Sequence, residues 1–151
     1  MARSKKTKQV HGELNSKKSN IEKTPHGYWG LSPEFSFRRY DSDATWSVPA
    51  DGKPTTDTIF SLLRDISSMK WIDIMQASGG RSHGTNSHFI SIDKLIKHAR
   101  QRASEIELGE NELFSLRLQG TARLWGLIEP ENGCFYVVWY DPEHQLYPLE
   151  R

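Results

Sequence analysis

After Gly109 the hydrophobic period of this chain switches to two and holds to Tyr140, which commits its C-terminal part to a sheet. Phe114, Leu116 and Leu118 alternate with Ser115, Arg117 and Gln119. Arg123, Trp125 and Leu127 alternate with Leu124, Gly126 and Ile128, and Cys134 to Tyr140 is an almost continuous run of β-prone residues. Three consecutive strands are predicted. Gly120 sits in the first connection and Pro130-Glu131-Asn132-Gly133 in the second, where Asn-Gly is a hairpin signal. Asp141-Pro142 ends the third strand.

Upstream, Phe35-Ser36-Phe37-Arg38 alternates as one further strand, and Asp41 to Pro54 reads as a loop rich in Asp, Ser, Pro and Gly. A helix follows Pro54, with Thr55, Thr56 or Asp57 as its cap and Ile59, Leu62, Leu63, Ile66 and Met69 as its apolar stripe. A break at Ser67-Ser68 precedes a short helical piece, Trp71 to Ala77. Ser78 to His88 is a Gly- and Ser-rich loop. The next helix carries Ile92, Leu95, Ile96, Ala99, Ala103 and Ile106 as its stripe, Ser91 as N-cap and Gly109 as its left-handed stop. The expected fold is α+β: one N-terminal strand, two or three helices on one sheet face, then a three-stranded antiparallel meander.

A chain of 151 residues suits one core. Its 20 Lys and Arg against 19 Asp and Glu nearly cancel, but their distribution is uneven. Residues 1–24 hold seven cations (Arg3, Lys5, Lys6, Lys8, Lys17, Lys18, Lys23) against Glu13 and Glu22, leaving 13 basic and 17 acidic residues in the remainder. Lacking an apolar stripe, residues 1–24 are expected to be a disordered basic tail, either solubilising or phosphate-seeking, ahead of a single α+β domain at 25–151. The lone Cys134 excludes an internal disulfide framework and Cys-rich metal sites, and reads as a small buried hydrophobe. No window is long and apolar enough for a bilayer or a signal peptide, so a cytoplasmic protein without a membrane partner is expected.

The first hairpin contains a conflict. If Leu116 and Leu118 share a buried face with Leu124, then Leu116 lies opposite Leu124, the loop is Gln119-Gly120-Thr121, and Arg117 faces Arg123 on the other side of the sheet. Like charges directly opposed cost up to about 1 kcal/mol, which an intervening anion or carboxylate would relieve. Glu112 or Glu129 could supply the carboxylate; an RNA phosphate would supply the anion, with Trp125 beside it as a stacking surface. His144, just after the last strand, is suited to proton transfer near pH 7, or to a surface hydrogen bond with Asp141 or Glu143.

The stretch Leu113 to Pro148, with Arg117, Ala122-Arg123-Leu124-Trp125, the F-x-V-V run from Phe135 and the closing D-P-x-H-x-x-Y-P of Asp141 to Pro148, resembles the C-terminal half of the RelE/ParE-like toxin superfamily. Many members are ribosome-dependent mRNA endoribonucleases paired with an antitoxin. The resemblance implies that Arg117 and Arg123 steady the scissile phosphate and that His144 and Tyr147 act in proton transfer and base stacking, with no metal or cofactor. Lys94, Lys97, Arg100 and Arg102 stand where the family carries a basic helix, and with Trp125 they are the expected RNA contacts. A non-catalytic module on the same fold, contacting RNA, ribosome or a protein through Arg117, Arg123 and Trp125, is the competing reading. His83, His88 and His98 lack the spacing of a zinc site, and Gly79-Gly80-Arg81-Ser82 lacks the P-loop form.

Overall fold

A mixed sheet of five strands, in the order β1-β5-β4-β3-β2, organises the chain in a computed structural model that describes residues 27–50, 52–77 and 87–148. The strands are β1 (Glu34–Ser36), β2 (His88–Ser91), β3 (Glu112–Arg117), β4 (Arg123–Ile128) and β5 (Cys134–Asp141). The helices are α1 (Lys53–Ser67), α2 (Trp71–Gln76) and α3 (Lys97–Glu105). β2 to β5 pair antiparallel with their neighbours, and β1 runs parallel to β5. The basic tail expected at 1–24, and all but Ser87 and His88 of the loop expected at 78–88, lie outside the described residues.

The α+β class and the three consecutive C-terminal strands stand, while the sheet gains a fifth strand that the sequence reading missed. β2 runs from the end of the expected loop, His88, to the expected N-cap, Ser91. Ile92–Lys94 is only a 3₁₀ turn, and Leu95 and Ile96 are extended. In a helix capped at Ser91 the Ile96 N–H would bond Ile92 C=O; it donates instead to Leu146 C=O at 3.1 Å, and Ile92 N–H donates to Asn111 C=O at 2.8 Å. The Ser91 hydroxyl bonds Asp93 Oδ1 at 2.6 Å rather than capping a helix.

Helix ends also differ from expectation. α1 starts at Lys53 after Gly52, whose φ of 79° is the left-handed conformation, and no side chain caps it. α3 stops before Gly109: Leu108 N–H bonds Ala103 C=O at 3.0 Å and Glu107 N–H bonds Ser104 C=O at 3.0 Å. That is a Schellman motif with Glu107 at φ 51°, and the buried Leu108 packing with Ala103 compensates for a non-glycine residue there.

Helices cover both sheet faces, not one. Ile59 and Leu63 of α1 and Trp71 and Ile74 of α2 pack with Phe114, Leu116, Leu124, Phe135 and Val137. On the opposite face Ala99 and Ala103 of α3 pack with Ile90, Leu113, Trp125, Val138 and Trp139. The extra residue Val138 in β5 makes this possible: Trp125 pairs with Trp139 and Gly126 with Val137, so Val138 and Trp139 both serve the α3 face. A methyl group on Gly126 would collide with the Tyr136 carbonyl and the Phe135 ring, so only glycine fits.

Candidate functional site: the arginine and histidine end of the sheet

Arg117 and Arg123 lie directly opposite each other, and Leu116 faces Leu124, in the register the alternation predicts. The loop between them closes through Leu118 N–H to Ala122 C=O and Ala122 N–H to Gln119 C=O, both 2.9 Å, with Gly120 at φ 57°. Both guanidinium groups turn toward that loop. Arg117 Nε donates to the Gly120 carbonyl at 3.3 Å, and Arg123 Nη1 donates to the same oxygen at 2.9 Å and to the Ala122 carbonyl at 3.1 Å. Burial, and then the charge of Arg117, lower the Arg123 pKa from its ordinary value, with Asp141 acting the other way.

Asp141 sits opposite Arg123 in the ladder and is fully buried, yet its oxygens serve other donors. Oδ1 accepts Gln145 N–H at 2.8 Å, and Oδ2 accepts Leu146 N–H at 3.0 Å and the Trp125 indole N–H at 3.3 Å. The carboxylate thus folds residues 141–146 into a turn on which His144 takes φ 57°. Thr121 Oγ1 donates to Pro142 C=O at 2.7 Å, tying this turn to the arginine loop. At the sheet edge, Ser87 Oγ accepts Arg117 N–H at 3.0 Å and brings the start of β2 to the same end.

His88, expected at the end of the Gly- and Ser-rich loop, is the first residue of β2 and belongs to this end of the sheet. It pairs with Ser115, which pairs with Trp125, so its side chain is on the face of Arg117 and Arg123. Burial, followed by the charges of Arg123 and His144, depresses its pKa from the usual histidine value. Nδ1 of His88, Nδ1 of His144 and Oγ of Ser115 are all buried without a hydrogen-bond partner. The signal that could have found His88 is the β-prone pair Phe89-Ile90, whose extended backbone places His88 on the face of Ile90.

Other expected site residues are placed differently. Trp125 has no exposed surface and bonds Asp141, so it gives RNA no ring to stack on; the prediction assumed an open face where α3 packs. Arg102 forms a bidentate pair with Asp41 at 2.7 Å to each oxygen, and contacts Glu105 at 3.4 Å, so its guanidinium is engaged within the fold. Tyr147 packs, partly buried, against the α3-side core. Lys94, Lys97 and Arg100 are exposed on the 3₁₀ turn and α3. Cys134 is half-buried, and burial raises its thiol pKa, in keeping with an unreactive role. Among the described residues no group of three or more His, Cys, Asp or Glu is placed to hold a metal ion.

The opposite end of the sheet has the other sign. A cavity of about 340 Å³ there is lined by Glu110, Glu112 and Glu129 together with Arg39, Tyr28 and Tyr136. Burial, with Glu112 contributing, pushes the Tyr28 hydroxyl up to about 12. No described helix is long and apolar enough to cross a membrane. Comparison with protein-family models, curated proteins and solved structures returns no match.

Proposed function

We propose that the chain is a RelE-like endoribonuclease toxin that binds mRNA, at the ribosome or free, through the arginine and histidine end of its sheet, and that an antitoxin covers this end in the cytoplasm. The supporting observation is the convergence of Arg117 and Arg123 on one loop carbonyl, with two imidazoles at the same end. Two like charges held together in a half-buried setting are stabilised by a bound anion, and a phosphodiester supplies one. In the reaction a ribose 2′-hydroxyl gives its proton to a side-chain base at this end of the sheet as its oxygen attacks phosphorus in line. Arg117 and Arg123 stabilise the added negative charge, and His144 protonates the departing 5′-oxygen. These steps use only the chain's own groups, with no cofactor assigned.

A second reading is a non-catalytic module for RNA or protein, and its support is that Tyr147, given proton transfer and stacking by the resemblance, packs on the α3-side core. One experiment separates the two. The purified chain is incubated with an RNA oligonucleotide and its fully 2′-deoxy counterpart, following cleavage and binding at two salt concentrations. The enzyme cuts only the ribo-oligonucleotide, leaving a 2′,3′-cyclic phosphate. Salt-sensitive binding without a cut supports the module. Neither cutting nor binding removes both RNA readings.

A further inference from the structure

We propose that His88 is the second catalytic imidazole of this site, taking the 2′-hydroxyl proton while His144 supplies one to the leaving 5′-oxygen; the inference rests on the ribonuclease reading above. Three observations lead to it. The ladder sets His88 on the face that carries Arg117 and Arg123, one strand from the first and two from the second. His88 and His144 come from different parts of the chain, and the ladder and the turn held by Asp141 bring both to the arginine end of the sheet. Each ring leaves Nδ1 buried without a partner, as does the Ser115 hydroxyl directly opposite His88. Buried polar atoms in folded proteins are almost always satisfied, so three orphans at the end of the sheet that carries Arg117 and Arg123 mark it as a place built for a further polar partner.

The surroundings of His88 suit it to the base, and the acid is assigned to His144. His88 is flanked by the cation Arg123 and by His144, and its burial disfavours a charge, so near pH 7 it holds a lone pair ready for a proton. His144, on the turn held by Asp141, is the group left to act as acid. The charged groups at this end are Arg117 on β3, Arg123 on β4 and Asp141 on β5, the last bonded to the turn and to Trp125, with Glu143 next to His144 on the turn and bonded to Gln145. The step balances: the 2′-hydroxyl proton passes to His88, the 2′-oxygen–phosphorus bond forms, the phosphorus–5′-oxygen bond breaks, and the 5′-oxygen takes a proton from His144. A cyclic phosphate and a 5′-hydroxyl result, and the rings exchange protons with water to reset. Tyr147, packed on the core, is not needed for proton transfer.

The test is the pH–rate profile of the full chain on the RNA oligonucleotide, for wild type, His88→Gln and His144→Gln, with RNA affinity measured in parallel. The expected result is a bell for the wild type, with His88→Gln losing the acidic limb and falling on the order of 10²-fold in rate while affinity changes less than about two-fold. A His88→Gln enzyme with wild-type rate and acidic limb overturns the role of His88 and leaves the ribonuclease reading standing. A wild type that never cuts overturns both. Because a substitution in β2 could unfold the edge of the sheet, the wild type is also titrated by NMR with the 2′-deoxy oligonucleotide. A rise in the His88 pKa on binding supports the proposal, and an unmoved resonance overturns it.

Discussion

Asp41 and Asp141 are both buried on the α3 side of the sheet, and each accepts an indole N–H from one of two tryptophans that face each other across β4 and β5. There the likeness ends. Asp41 takes a fork of two bonds from Arg102, and that hydrogen bonding holds its carboxyl below the usual carboxylate range against the opposing effect of burial. Asp141 stands opposite an arginine and spends its remaining acceptor capacity on the backbone of its own turn. One carboxylate consumes a guanidinium to fasten a helix to a loop; the other holds a histidine in place and leaves Arg123 bonded to carbonyls. A buried acid near an arginine is therefore no guide to which arginine is available for a ligand.

Removing the second carboxylate tests that difference most severely. Asp141→Ala strands an indole and two backbone N–H groups, and is expected to cost about 2–4 kcal/mol in urea unfolding as well as RNA cleavage, since the His144 turn loses its anchor. Arg123→Ala should separate the two losses. Cleavage falls on the order of 10²-fold, while unfolding shifts by less than about 1 kcal/mol because the guanidinium bonds only loop carbonyls. An Arg123 variant that unfolds instead would make this arginine structural, like Arg102.

Asp41→Asn probes the other member through pH. The depressed folded-state pKa means that Asp41 contributes stability above the ordinary carboxylate range and loses that contribution as pH falls through its folded value. The variant should be less stable than wild type at neutral pH, flatter in stability between about pH 5 and 2, and within about two-fold in cleavage. The smallest effect on stability is expected at His144→Gly, where φ 57° favours glycine: thermal unfolding should move up by no more than the equivalent of about 1 kcal/mol while cleavage is lost.

The Arg117–Arg123 register was legible because Leu116 and Leu124 must share a face, and a strand offers only two. Gly120 in the short loop made the same register sterically easy. β2 was not legible, since four residues between a glycine-rich loop and an apolar stripe of helical spacing lose to the longer pattern; only the tertiary bonds from Ile92 and Ile96 decide the matter. Trp125 was misassigned for a different reason. Alternation separates two faces without saying how many are covered, and α3 covers the second. The role of Asp41 depends on partners 61 and 98 residues away, whereas Asp141 joins the backbone of its own turn to an indole 16 residues away.

The irregularity at Val138 has a reach well beyond β5. Strand parity is binary, so an uninterrupted ladder from Val137 onward would send Trp139 and Asp141 to the α1 side, and the turn bearing His144 would be steered away from both arginines. A single supernumerary valine thus acts as a phase reset, and the chemistry proposed for one edge of this molecule is only as secure as that reset.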